Sequence, residues 1–133
     1  MLFIFVTSLT AWFFGRDRLP RSIRIATAEE GGLYYKIGHD IKPFLVNETG
    51  RTVSVASTPG SQANYTRLIA KQAELGIVQA GAVPVEDLAI VTPLFPEFFF
   101  VIVRRASKIS TIRELQGRDI ALGPVGSGMR ATA

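Results

Sequence analysis

The sequence predicts an α/β fold with an open, mixed but mostly parallel sheet and flanking helices. Three runs beginning at Ile23, Thr52 and Arg118 have the apolar or alternating pattern of a strand, and each is followed by a turn rich in small residues and then by a helical pattern. Such alternation is typical of strand–helix–strand units. With 133 residues, of which 47% are hydrophobic, the chain has enough apolar mass for one domain with a real core.

Charge and cysteine content exclude several functions. The net charge of +4 is modest, and Arg16, Arg18 and Arg21 follow an apolar N-terminus, which indicates a membrane-flanking cluster and no nucleic-acid surface. The sequence contains no cysteine, so disulfides and thiolate metal sites are excluded. We therefore expect neither a nucleic-acid partner nor a metal.

Residues 1–22 are predicted to form a membrane anchor or export segment with a basic linker. Residues 1–14 are almost wholly apolar, which is shorter than the roughly 20 residues of a spanning helix, and they lack a basic leader and a small-x-small cleavage site. We favour an anchor truncated at its start over a cleaved signal peptide. The arginines that follow would keep the next domain in the cytoplasm, which conflicts with the location inferred below.

The first strand is predicted at residues 23–27, where apolar and polar residues alternate. A Gly-Gly turn leads into a helix that begins near Leu33 and should end or kink at Pro43. Tyr34, in the first turn of this helix together with Tyr35, is a candidate to offer its hydroxyl or ring to a ligand. The alternative is that one tyrosine packs inward and the other lies on the surface.

The second strand, residues 52–57, leads into a Pro-Gly turn and a second helix. Ser61 is expected to cap this helix through its hydroxyl. Its first turn has unpaired N–H groups and a positive dipole end, and with the side chains of Ser61, Gln62 and Asn64 it forms a donor array suited to a carboxylate or phosphate. The alternative is an ordinary turn whose polar side chains only cap the helix.

Two further apolar runs are predicted to be strands. Residues 75–78 are typical of a strand covered on both faces, and Gln79 follows where ligands gather in parallel sheets, so it is a candidate contact. Gln79 could equally be a polar strand terminator. Residues 98–103 are apolar throughout, and this strongest strand signal in the chain predicts a buried strand.

The last part of the chain predicts one more strand between two helices. Residues 110–117 fit a short helix closed by glycine, with Glu114 three positions after Thr111. Residues 118–122 fit a strand. The turn at residues 123–128 is rich in glycine and opens a further helix, so Gly126, Ser127 and Gly128 form a third donor-rich turn and are candidate ligand contacts.

The chain shows no catalytic set. It contains no P-loop, the glycine spacing at residues 123–128 does not match a dinucleotide fingerprint, and Ser127 has no histidine to serve as its base. The only histidine, His39, lies on the polar side of the first helix, where a solvated role is expected. We expect a protein that is not an enzyme and uses no cofactor.

These motifs, in this order, resemble the solute-binding components of tripartite ATP-independent periplasmic (TRAP) transporters, in the branch called TAXI (TRAP-associated extracytoplasmic immunogenic). The resemblance covers about residues 23–130. Its matching stretches are residues 25–27, Gly31-Gly32-x-Tyr34-Tyr35-x-Ile37-Gly38, Ser57-Thr58-x-Gly60-Ser61-x-x-Asn64, residues 76–79, Pro96-Glu97, Leu115-x-Gly117-Arg118 and residues 123–128.

The resemblance implies a type II periplasmic-binding-protein fold, in which two α/β lobes close on a small solute. On this mapping residues 23–103 form the first lobe, and the strand at residues 98–103 crosses between lobes. Residues 104–133 begin a second lobe that is truncated, so the chain is expected to be an N-terminal fragment.

The resemblance also implies capture of a small anionic solute, a dicarboxylate or an acidic amino acid, for membrane-embedded TRAP transporter subunits. The expected location is the periplasmic side of the inner membrane, anchored or exported. The alternative is the ligand-sensing domain of a membrane-bound or transcriptional regulator on the same fold. A transcriptional regulator would need a helix-turn-helix at its N-terminus, where this chain has an apolar segment.

Overall fold

A computed structural model describes residues 19–133. The apolar run at residues 1–14, and with it the predicted anchor, lies outside the described residues. Within residues 19–133, no helix has both the length and the apolar character that a membrane crossing requires.

The centre of the fold is a three-stranded parallel sheet. Its strands are β1 (Ser22–Ala26), β2 (Thr52–Ala56) and β3 (Leu75–Gly76), arranged in the order β2-β1-β3. In the register, Ala26 of β1 lies opposite Ala56 of β2 and Gly76 of β3. The predicted small α/β fold with a parallel sheet and flanking helices is confirmed.

Helix α1 (Leu33–Thr49) connects β1 to β2 and ends at Gly50, whose left-handed backbone (φ 63°) suits glycine. A kink at Pro43 stays a prediction, but the prediction that the helix ends there is wrong, because it continues for six residues beyond the proline. The reason is packing: Leu45 and Val46, in the turn after the proline, lie against the core of the sheet. Burial of these side chains offsets the hydrogen bond that the proline removes. That core consists of Ile23, Ile25 and Val53.

Helix α2 (Ser61–Ile69) connects β2 to β3, and its N-cap is Gly60, with φ 129° and ψ −154°. The prediction that Ser61 caps this helix is therefore wrong. Residues with a side chain rarely adopt a φ of this sign, so glycine occupies the cap position and the serine becomes the first helical residue. The Ser61 hydroxyl is consequently available for a contact outside its own helix.

Strand β3 is shorter than the predicted strand at residues 75–78. Its pairing with β1 is nevertheless extended by the Ile77 N–H, which donates to the Ala26 carbonyl at 3.0 Å. The chain therefore stays paired with β1 up to Ile77, two residues before Gln79.

Two predicted strands are absent from the described residues. Residues 98–103 form no strand, and their exposure ranges from 37% for Val103 to 87% for Ile102, so the prediction of a buried strand is wrong. Residues 118–122 also form no strand. A strand needs a partner for its backbone groups, and among residues 19–133 the sheet consists of β1, β2 and β3 only.

The helix predicted at residues 110–117 is a single 3-10 turn, Ile112–Leu115, preceded by another at Arg105–Ser107. The expected pairing of Thr111 and Glu114 is present as a capping box. Helix α3 (Gly128–Thr132) follows the glycine-rich turn as predicted, and the Ser127 side chain caps it by accepting from the Arg130 N–H. The division into lobes at residue 103 is not tested by these elements and stays a prediction.

Candidate functional site

The candidate site lies at the edge of the sheet where all three strands end. We call this the carboxyl edge, formed by residues 27–32, 57–60 and 77–83. The Thr27 N–H donates to the Ala56 carbonyl at 3.1 Å, and the Thr58 N–H donates to the Ala28 carbonyl at 3.3 Å. These bonds hold the first two turns side by side. In open parallel sheets this edge is where ligands bind.

The N-terminus of α2 projects unpaired donors at the carboxyl edge. Among the described residues, the Ser61 N–H, the Ala63 N–H and the Ser61 hydroxyl hydrogen have no acceptor. The Gln62 N–H donates to the Gly126 carbonyl at 3.1 Å. Ser61 is only 1% exposed. Unpaired donors at a helix N-terminus, where the dipole is positive, favour a negatively charged partner.

The Ser61 hydroxyl also fixes the position of the third strand end. Its oxygen accepts a hydrogen bond from the Gln79 N–H at 2.9 Å. The prediction that Ser61 and Gln79 belong to one site therefore has a direct geometric basis, since the two residues are bonded to each other. Their binding of a ligand stays a prediction.

Asn64 lies one turn further along α2 and is fully buried. Its Nδ2 donates to the Thr27 and Ile77 carbonyls, and its Oδ1 accepts from the Thr58 hydroxyl at 2.6 Å. Both amide hydrogens are thus used inside the protein. The structure places Asn64 beneath the carboxyl edge and gives its donors partners other than a solute.

The side chains of the two glutamines reach outward from the same cluster. Gln62 is exposed, and its Nε2 donates to the Ala82 carbonyl. The Gln79 Nε2 donates to the Thr132 hydroxyl at 3.1 Å. Each amide keeps one Nε2 hydrogen without an acceptor among the described residues, so each can donate to a ligand.

Residues 123–132, which we call the C-terminal segment, lie directly on the N-terminus of α2. A Cβ added to Gly60 would lie 3.0 Å from the Ser127 Cα and 3.3 Å from the Gly126 oxygen. A Cβ added to Gly128 would lie 2.7 Å from the Ser61 oxygen. The predicted contacts Gly126, Ser127 and Gly128 are thus in place beside Ser61, and small residues make this close approach possible.

The contacts of Tyr34 are with residues outside this cluster. Its hydroxyl donates to the Glu97 carboxylate at 2.5 Å, and its ring meets the Phe95 ring edge-on with centroids 6.0 Å apart. Burial, and then the hydrogen bond and negative charge of Glu97, raise the pKa of the Tyr34 hydroxyl. The hydroxyl stays protonated at neutral pH and is a donor, which at present serves an internal carboxylate.

Sequence reasoning missed two contributors to the site. The Ala63 N–H carries no side-chain signal, because a backbone donor is visible only once the start of the helix is known. Thr58 was not singled out, although a threonine before Pro-Gly at the end of a strand can bond to the turn that follows. Its oxygen accepts from the Gly60 N–H at 3.1 Å and so shapes the entry to α2.

The model of the NMT1-like family matches residues 25–133, which include β2, β3, the end of β1 and the carboxyl edge. This family is periplasmic-binding-protein-like, and its members are of the substrate-binding type. No solved structure matches the chain. The finer resemblance to the TAXI branch is not tested by this match and stays a prediction.

Proposed function

Because the chain belongs to the NMT1-like family, we propose that it is an extracytoplasmic solute-binding protein that captures a small anionic solute. The observation that carries the proposal is the N-terminus of α2, where the N–H groups of Ser61 and Ala63 and the Ser61 hydroxyl have no acceptor among the described residues. Three donors without an acceptor at the positive end of a helix suit the oxygens of a carboxylate. Dicarboxylates and acidic amino acids carry such a group.

A solute reaches these donors only when the C-terminal segment moves. Ser61 is 1% exposed, and Gly128 packs on its hydroxyl. The Gly126 carbonyl meanwhile occupies the Gln62 N–H, so a neutral oxygen already lies where a solute oxygen would bind. In the proposed binding event, the segment lifts from α2 and a carboxylate takes up the donors.

We propose binding without catalysis. The Ser61 hydroxyl contacts a backbone N–H, which cannot act as a base. The only histidine, His39, is exposed on α1 and lies beside Tyr35, with ring centroids 4.6 Å apart and ring planes tilted by 54°. Delivery of the solute to membrane-embedded TRAP transporter subunits, on the periplasmic side of the inner membrane, is the role that the TAXI resemblance supports. The apolar run at residues 1–14 would anchor or export the chain.

The test is an NMR titration of the full chain with succinate and with L-aspartate, using succinamide as an uncharged control of the same shape. Both acids should move the amide signals of Ser61 and Ala63, and succinamide should not. Ser61→Ala should weaken binding of the acids about tenfold to a hundredfold, the value of one hydrogen bond to a charged group.

Ser54→Ala is the matched control, because Ser54 is an exposed serine of β2 that lies outside the carboxyl edge. It should leave the affinity unchanged. If wild-type protein gives no shift at Ser61 or Ala63 with either acid up to about 10 mM, or if Ser54→Ala weakens binding as much as Ser61→Ala, the proposal is wrong.

A further inference from the structure

We infer that Asn64 is a positioning residue that ties the three strand ends together and thereby sets the spacing of Ser61 and Gln79. This inference rests on the function proposed above, for which it names the residue that shapes the site. Asn64 is fully buried and lies three residues after Ser61, on the same side of α2. It approaches the sheet from beneath the donors that the solute would meet.

The side chain of Asn64 bonds to the end of every strand. Its Nδ2 donates to the Thr27 carbonyl just after β1 and, at 2.7 Å, to the Ile77 carbonyl just after β3. Its Oδ1 accepts from the hydroxyl of Thr58, two residues after β2. The orientation of the amide is unambiguous, because the two carbonyls can only accept and the oxygen facing Thr58 receives a hydroxyl hydrogen.

The network continues into the entry of α2. The Thr58 oxygen accepts from the Gly60 N–H at 3.1 Å while its hydrogen goes to Asn64 at 2.6 Å. Hydrogen bonds linked in this way polarise and strengthen one another in a buried setting. The conformation of Gly60, and with it the start of α2, is therefore coupled to the Asn64 amide.

Two hydrogen bonds join α2 to the chain that follows β3. The first runs from Asn64 to the Ile77 carbonyl, and the second runs from the Gln79 N–H to the Ser61 oxygen at 2.9 Å. The two bonds are three residues apart on the helix and two residues apart on the chain after β3. If the bond from Asn64 to the Ile77 carbonyl is lost, of these two bonds only the one from the Gln79 N–H to the Ser61 oxygen still holds Gln79 beside Ser61.

A direct contact between Asn64 and solute would require one of these bonds to break. Both Nδ2 hydrogens are committed to buried carbonyls, and a buried carbonyl deprived of its donor is costly. The residue therefore acts on the solute through Ser61 and Gln79, and its own amide does not touch the solute. This predicts that Thr58, which lies on the far side of the Asn64 oxygen, matters for affinity as well.

The test compares Asn64→Asp and Thr58→Val with controls of the same chemistry. Asn47→Asp, at an exposed position of α1, matches the first, and Thr66→Val, at an exposed position of α2, matches the second. Thr58→Val keeps the Asn64 amide intact and removes the hydroxyl that donates to it, which is also the acceptor of the Gly60 N–H. It serves as the milder variant if Asn64→Asp does not fold.

The first measurement needs no solute. Amide hydrogen exchange at Gln79, whose N–H bonds to neither Asn64 nor Thr58, should accelerate about tenfold or more in Asn64→Asp and in Thr58→Val, and should stay at the wild-type rate in both controls. Unchanged exchange in Thr58→Val would overturn the inference, whether or not any probe binds. Failure of the proposed function would show instead as wild-type protein that binds neither probe.

The second measurement is affinity for succinate and L-aspartate on fully folded protein. Thr58→Val should weaken binding about tenfold, whereas Val53→Ala, a core substitution that lowers stability away from the carboxyl edge, should leave the affinity unchanged. Weakened binding in Asn64→Asp with wild-type affinity in Thr58→Val would show that Asn64 contacts the solute directly, which would overturn the positioning role.

Discussion

Substitution of Gly128 by alanine tests how closely the C-terminal segment is fitted to α2. The added Cβ would lie 2.5 Å from the Gln79 Oε1, 2.7 Å from the Gln79 Cβ and 2.7 Å from the Ser61 oxygen. The end of the glutamine side chain can rotate away. The other two atoms cannot, because the Gln79 Cβ is fixed by the backbone and the Ser61 oxygen holds the Gln79 N–H. The segment must therefore shift.

The cost follows from the bonds that the shift breaks. The segment accepts two hydrogen bonds from the rest of the protein. The Gln62 N–H donates to the Gly126 carbonyl and the Gln79 Nε2 donates to the Thr132 hydroxyl, both at 3.1 Å. Together they contribute about 1 to 3 kcal/mol. Alanine in the first turn of a helix returns up to about 1 kcal/mol. With the full offset, we expect a net loss of up to about 2 kcal/mol in the free energy of unfolding.

Urea denaturation measures this loss, and hydrogen exchange at the Gln62 amide localises it. The Gln62 N–H should exchange faster in Gly128→Ala, because the Gly126 carbonyl is its only acceptor among the described residues. Met129→Ala, at the next and exposed position, is the control and should change neither quantity. Wild-type stability together with wild-type exchange at Gln62 in Gly128→Ala would refute the close fit.

Two further predictions concern stability. A hydrogen bond from the Arg24 guanidinium lowers the pKa of the Glu74 carboxyl below its usual 4.5. The ion pair therefore stabilises the fold at a pH above the pKa of Glu74 in the unfolded chain. This stabilisation is lost as the pH falls through the lowered pKa of the folded state. Urea denaturation of wild type and Glu74→Gln should therefore converge in acid, and a pH-independent difference would contradict the pair. Pro43→Ala should stabilise α1 by about 2 kcal/mol, because it restores the hydrogen bond to the His39 carbonyl; a loss of stability would contradict this.

The part of the fold that could be predicted is the part with local causes. Alternation at residues 23–27 and 52–57 predicts β1 and β2 because a strand with one buried face needs that period. The pattern also located the start of α1 at Leu33. The local rule that proline ends a helix failed at Pro43. Tertiary packing outweighs it there, because the apolar face of α1 continues past the proline onto the core.

The candidate site was predictable in position but not in the use of its residues. The Pro-Gly turn after the second strand correctly places the start of α2 near Ser61, and a helix start at a strand end brings donors to one edge. The pattern cannot tell that Gly60 takes the cap, which frees the Ser61 hydroxyl for the Gln79 N–H. Nor can it tell that Asn64 faces inward, because the face of a helix that is buried depends on where the sheet lies.

The exposed run at residues 98–103 shows what an apolar pattern can and cannot determine. Six consecutive apolar residues require a partner to remove them from water, but the pattern does not say where that partner is. Within residues 19–133 the sheet order is β2-β1-β3, and Phe100 and Ile102 remain 76% and 87% exposed. An apolar, β-prone segment without a neighbour is also the kind that pairs between chains. Residues 98–103 thus have no neighbouring strand among residues 19–133 that could cover their side chains and pair with their backbone. For this reason the strongest strand signal in the sequence gives no strand.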